Sequence, residues 1–279
     1  MNSNFAFLQN DFPVLANFGR LAEKYCYTDS NSCLMKLGMI GETIVNLMFT
    51  YDRISLPADN TAVNRISTLF REGLLTQDLV SILHALRKTR NKAVHENYAS
   101  ISDGKSLLQM SHSLCEWFMQ TYGDWNYENQ PFVMPSEAVD ASPSDKTAEK
   151  EKEDILTKEA EEKAALAEKV AKEQRRQQAT KAASQRQKSE AETRYLIDEQ
   201  LRQVGWEADT ENLRHSKGTV PVKGRNIAIA EWPTDSTVSK KGYADYALFV
   251  GLQLVGIIEA KAEHKDIPSV IDFQGKDYP

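Results

Sequence analysis

Three charged residues, Asp245, Glu259 and Lys261, interrupt an otherwise apolar stretch of the 279-residue sequence, Lys240–Glu263. Two short runs rich in aromatic, Val and Ile residues, Tyr246–Val250 and Leu254–Ile258, flank Gly251-Leu252-Gln253 and predict a β-hairpin. An antiparallel hairpin returns the end of its second strand to the start of its first. Asp245 therefore meets Glu259 and Lys261, which are two apart and share one face. Charges at the end of a largely buried sheet are costly unless they are paired or hold a metal. Carboxylate oxygens are hard ligands that suit Mg²⁺, which takes one or two of them together with water and phosphate. A lysine beside them can orient the water or stabilise developing charge. The chemistry such a set supports is metal-dependent hydrolysis of a phosphodiester.

The elements that must position these residues lie just upstream. "SEAETRYLIDEQLRQVGW" puts Leu196, Ile197, Leu201 and Val204 on one helical face and stops at Gly205. Val220–Lys223 and Asn226–Glu231 read as strand material, then comes the hairpin, and Ile267–Tyr278 begins another helix. A mixed α/β sheet in this order lacks a closing crossover helix and a last strand. The sequence is therefore expected to be cut from something longer.

This region resembles the PD-(D/E)xK nuclease fold, with Ala244-Asp245 in place of "PD" and Glu259-Ala260-Lys261 as "ExK". Proline is not a ligand, so its replacement leaves the metal set intact. "SEAETR…ID.QLR..GW", "GYADYALF" and "IIEAKA" further resemble the nuclease domain of the restriction (R) subunit of type I restriction–modification enzymes, over about Ser189–Pro279. The resemblance implies that Glu192, on the first helix, lies near the active site. It also implies that Gln274 and Tyr278 form a substrate-binding pair, and that Mg²⁺ is held by Asp245 and Glu259. It implies double-stranded DNA as substrate, modification and specificity subunits as partners, and ATP-driven translocation by further domains. No Gly-x-x-x-x-Gly-Lys-Ser/Thr phosphate loop occurs in the sequence, so ATP binding is carried over to none of its residues.

Residues 1–125 predict an all-α bundle of four or five helices: Phe5–Tyr25 interrupted at Pro13, Ser32–Tyr51, Thr61–Phe70, Gln77–Tyr98 and Ser106–Tyr122. Residues 126–145 lose periodicity and gather prolines, which predicts a linker. Residues 146–189 are dominated by Ala, Glu, Lys, Arg and Gln, which favours one long charged helix acting as a solvated spacer. Its large apolar residues are too sparse for a sustained coiled-coil seam. Its charge is graded: nine acids and five bases over 145–168, then seven bases and one acid over 169–188. The gradient complements a helix dipole, and its basic end could track a phosphate backbone. Residues 190–279 complete an α+β multidomain chain.

The helical region carries a signal of its own. Arg90 and His95 are five apart on one helix and can share a face. A guanidinium grips phosphate and a histidine moves a proton near neutrality. Arg90-Asn91-x-x-x-His95 resembles the signature of the HEPN superfamily of helical bundles, which implies a metal-independent ribonuclease working as a dimer. Glu42 is read either as a partner of Arg90 or as a surface acid. His84 and His112 are lone histidines.

A net charge of −6 argues against a protein that coats nucleic acid, while leaving room for a local basic groove. Cys26, Cys33 and Cys115 form no metal-type pair and read as buried free thiols of a reducing compartment. The N-terminus shows no signal-peptide pattern and no run approaches a membrane span, so the expected location is cytoplasmic. Three functions stand open on these residues: the DNA endonuclease, a ribonuclease of the helical region, and an interaction module with both sites idle.

Overall fold

The computed structural model describes residues 3–137, 146–186, 189–234 and 242–259. The chain is α+β and divides into two compact units, Met1–Lys188 and Ser189–Pro279.

The described residues of the first unit form helices and no strands. A 3₁₀ turn at Ala6–Leu8 precedes α1 (Pro13–Tyr25), α2 (Ser30–Tyr51), α3 (Ala62–Arg71), α4 (Gln77–His95) and α5 (Ile101–Tyr122). Pro13, read as an interruption, sits in the first turn of α1, where its missing N–H would have had no helical partner. Asp29, Thr61 and Ser100 cap α2, α3 and α5 by accepting from the backbone N–H three residues on. Helix α2 is central and packs against α1, α3, α4 and α5. By length and composition α2 could cross a membrane, contrary to the expectation that no run comes close, yet 67% of its most apolar window is buried inside the unit. That is the pattern of a core helix.

The charged segment departs from the expected spacer. It forms two helices, α6 (Lys146–Leu166) and α7 (Lys172–Gln185), and both pack on the bundle. Ala160 and Ala164 on α6, and Ala179 and Ala182 on α7, are buried, so small side chains do the close packing that sparse large ones could not. Polar contacts lock the fit. Trp117 Nε1 donates to the Ala179 carbonyl at 3.1 Å, and Gln178 Nε2 to that of Gln120 at 2.7 Å. Arg175, 3% exposed, pairs with Asp52 at 3.2 Å, stacks over the Tyr122 ring and donates to the Thr121 carbonyl. Lys36 of α2 pairs with Glu153 of α6. The predicted linker is likewise tied down in part: Gln130 N donates to Glu116 Oε1 at 2.6 Å and Val133 N to Asn4 Oδ1 at 2.8 Å. All three cysteines are free and buried.

Over its described residues the second unit is a mixed four-stranded sheet with one α-helix. Helix α8 (Glu190–Gln203) ends as expected at Gly205, at φ +91°. There Trp206 N bonds the Leu201 carbonyl and Gly205 N that of Arg202, a left-handed glycine cap. Strands β1 (Glu207–Ala208), β2 (Asn226–Thr234), β3 (Gly242–Val250) and β4 (Gln253–Ile258) lie in that order, β1 parallel to β2 and the rest antiparallel. The predicted hairpin is β3–β4, turning at Gly251, whose φ of +60° suits the first central position of a II′ turn. Val220–Lys223 is not a strand. Pro221 removes a ladder donor there, and Gly224 at φ +80° turns the chain. The helix expected over Ile267–Tyr278 lies outside the described residues.

Two outcomes test the helical unit. Arg175→Met leaves Asp52 buried without its cation, and should lower stability to urea by about 3 kcal/mol; the double variant with Asp52→Asn should recover most of that loss. Glu116 is buried 3.7 Å from His112, and burial pushes its carboxyl up to about 7 from an ordinary 4.5. A raised carboxyl contributes stability in full below 4.5 and loses it as pH climbs through 7. Glu116→Gln keeps the acceptor for Gln130 and removes the titration. Its stability relative to the unsubstituted chain should therefore rise across that window by on the order of 2–3 kcal/mol, read from urea curves at each pH.

Candidate active site

Alternation along β3 divides its residues between two small cores. Tyr246 and Leu248 join Leu201, Ile197 and Trp206 beneath α8, while Ala247 and Phe249 pack with Ile227, Ile229 and Trp232. Asp245 shares the parity of Ala247 and Phe249. The β3–β4 register pairs Tyr246 with Ile258. Continued by one step, it sets Asp245 opposite Glu259, where facing Cβ atoms lie roughly 4.5–5.5 Å apart. A pair of hard carboxylates brought together at a strand end would fit the one-or-two-carboxylate donor set of Mg²⁺. Among the described residues no group of three or more His, Cys, Asp and Glu is placed to hold a metal, so water and substrate would fill the remaining positions. Lys261, Gln274 and Tyr278 lie outside the described residues.

Two residues that spacing alone did not indicate stand beside Asp245. Arg194 of α8 donates from Nη2 to Asp245 Oδ1 at 3.3 Å, with both side chains largely buried. Glu231 is flanked by the pairs Ala230↔Tyr246 and Trp232↔Ala244, which put it across from Asp245 on β2. Its backbone is left-handed, φ +53°, and its carboxylate pairs with Arg214 Nη1 at 3.2 Å. Glutamate rarely adopts that conformation, so the strand is locally strained there. Glu231 falls at the end of a run already read as strand material; Arg194 meets Asp245 across 51 residues and leaves no local pattern.

Glu192 is buried in the first turn of α8, two residues before Arg194. Its backbone N–H donates to Ser189 Oγ at 3.0 Å, the N-terminal half of a Ser-x-x-Glu capping box. Helix α8 is fastened to the sheet by a buried polar chain. Thr210 donates to Asp198 through N at 2.8 Å and Oγ1 at 3.0 Å, and its Oγ1 lies 2.6 Å from the Tyr246 hydroxyl. The Tyr246 hydroxyl also donates to the Arg194 carbonyl at 3.2 Å. Burial raises the Asp198 carboxyl above its ordinary value, against the lowering effect of the Thr210 bonds. Burial likewise pushes the Tyr246 phenol up.

In the helical unit, Arg90 Nη1 pairs with Glu42 Oε2 at 3.3 Å, and Glu42 is exposed, so it is both a surface acid and a partner to Arg90. The α4 backbone can approach α2 there because Gly38 has no side chain: a Cβ on it would lie 2.3 Å from Arg90 Cβ. Arg90 and Asn91 line a cavity of about 510 Å³. His95 is exposed at the end of α4 and is not among the lining residues. His112 is buried among Phe5, Phe7 and Phe132 and pushed down by burial to about 4, a core residue.

Comparison with known proteins agrees with this division. A family model described as domain of unknown function (DUF4145) matches residues 21–172, more than half of the chain. A second, described as the type I restriction enzyme EcoKI endonuclease subunit second domain, matches residues 207–279. The type I restriction enzyme EcoKI endonuclease subunit of Escherichia coli (strain K12) is 28% identical over 326 aligned positions, covering 96% of this chain. The chain spans 27% of that relative's length. No solved structure matches. The chain belongs to the DUF4145 family through its helical unit and, over almost its whole length, is similar to the N-terminal part of a type I restriction enzyme R subunit.

Proposed function

We propose that the chain carries the DNA-cutting centre of a type I restriction endonuclease R subunit, with Asp245 and Glu259 as the ligands of Mg²⁺. The observation that supports this reading is the β3–β4 pairing of Tyr246 with Ile258, which leaves Asp245 and Glu259 as the next residue on each strand, in the part of the chain matched by the restriction-subunit model. Bound there, Mg²⁺ would supply polarisation of phosphoryl oxygens and hydroxide near neutral pH. Asp245 and Glu259 would hold the ion. Lys261 orients the attacking water and stabilises charge on the phosphoryl oxygens. Arg194 holds the Asp245 carboxylate by a charge-assisted hydrogen bond until the ligand set is complete. Gln274 and Tyr278 contact the DNA strand, and Glu192 supports the site from α8.

The substrate is unmodified foreign double-stranded DNA in the cytoplasm. Cutting is coupled in the whole protein to ATP-driven translocation, and the modification and specificity subunits are its partners. A second reading, metal-independent RNA cleavage by Arg90 and His95 in a dimer of the helical unit, is favoured by the Arg90–Glu42 pair alone.

Full-length subunits carrying Asp245→Ala, Glu259→Ala or Lys261→Ala, assembled with their partners and supplied with Mg²⁺ and ATP, test the assignment. Each should lose DNA cleavage by on the order of 10²-fold or more while ATP hydrolysis persists. Unchanged cleavage by Asp245→Ala or Lys261→Ala removes the site. RNA cleavage that survives EDTA and disappears in His95→Ala moves the activity to the helical unit.

A further inference from the structure

We infer that the cavity between α2, α3 and α4 binds a small organic phosphate, a phosphate monoester on a compact apolar or planar body. This goes beyond the nuclease reading and does not depend on it. At about 510 Å³ the cavity falls within the range that holds cofactor-sized ligands, roughly 300–1,000 Å³. Its wall is divided in character. Val45, Ile66 and Leu83 are apolar lining residues, while Arg65, Arg87 and Arg90 are three cationic ones. Glu42 is the single acid among the described lining residues, which leaves an excess of positive charge.

Arg90 is paired with Glu42, whereas Arg65 is held by neutral groups. Arg65 donates from Nε to Asn60 Oδ1 at 2.7 Å and from Nη1 to Asn46 Oδ1 at 2.5 Å. Both acceptors are neutral amide oxygens, so they orient the group and leave its charge available. The Nε of Arg87 is buried and has no hydrogen-bond acceptor among the described residues. A buried donor on a charged group is costly to leave unmade, and an anion drawn against the rest of that guanidinium from the cavity side would offset the cost. The stem of Arg90 rests on Gly38, which directs it along α2. Its partner Glu42 is 49% exposed and 3.3 Å away, a contact weak enough for a dianion to displace. The first turn of α3, Ala62 and Val63, also opens on the cavity and adds the positive end of a helix dipole.

Planar guanidiniums grip phosphate oxygens in pairs, which selects phosphate over a diffuse anion. The apolar floor selects for a body on that phosphate. A strand of nucleic acid would call for a row of cations along its backbone; here three arginines converge on one bounded space. His95 stands outside the wall, so the cavity is equipped to bind and not to transfer a proton.

Phenyl phosphate titrated calorimetrically into the 279-residue chain provides the test. It should bind at one saturable site, with Kd of about 0.1–1 mM, and more tightly than inorganic phosphate or phenol alone. Arg87→Ala should weaken it at least about tenfold, and Arg87→Lys, which keeps the charge and the stem, by less. Ala62→Trp at the exposed rim should block binding while the melting temperature stays unchanged, which separates occlusion from misfolding. Absence of saturable heat at about 10 mM phenyl phosphate, or binding indifferent to both Arg87→Ala and Ala62→Trp, overturns the proposal. So does tighter binding of a 5′-phosphorylated single-stranded oligonucleotide that also depends on Arg87. Because none of these readouts involves DNA cleavage, failure here leaves the Asp245 site untouched, and failure there leaves the cavity standing.

Discussion

Asp198, buried in α8, receives both the backbone N–H and the hydroxyl of Thr210, and Thr210 shares a further hydrogen bond with Tyr246 in β3. Three segments meet in that chain of bonds: the helix, the loop after β1, and the strand that bears Asp245. A buried carboxylate is costly unless its lone pairs are met, so the geometry is strongly specified. Fixing Tyr246 beneath α8 also fixes the phase of β3. A slip of one residue would turn Tyr246 away from α8 and Thr210 and move Asp245 from its present face. The same register, carried across to β4, decides which residue faces Asp245.

A parallel device organises the helical unit. Arg175 lies almost wholly buried between Asp52 and the Tyr122 ring, and Tyr122 donates to Asp52 Oδ2 at 2.6 Å. The alanines of α6 and α7 bring those helices close but bury little apolar area. The docking is then decided by a few polar contacts of demanding geometry, Arg175, Trp117 and Lys36 among them. That is why a segment with the composition of a solvated spacer is part of a folded bundle.

Elements with a period were legible. Five helices of the bundle, α8 with its Gly205 stop, and the β3–β4 hairpin follow from apolar spacing and turn residues, because burial of one face imposes those repeats. Strand β1, two residues long, has no period to detect. Val220–Lys223 has strand-like composition, but Pro221 and the turn at Gly224 remove it from the ladder. The neighbours of Asp245 divide in the same way. Hairpin arithmetic brings Glu259 into expectation from the sequence, whereas Arg194 reaches Asp245 through the docking of α8, a contact no spacing encodes.

Local chemistry in the sequence by itself determined which residues could serve as ligands and which stretches are helix or hairpin. Those follow from side-chain type and from the 3.6- and two-residue repeats of the backbone. Only the tertiary structure decided that the charged segment packs on the bundle, that Arg90 pairs with Glu42, and that three arginines from two helices surround one cavity. Such arrangements depend on desolvation and on close approach between distant segments, at Gly38 or along the alanines of α6. Their energies belong to the packed pair and to neither segment alone.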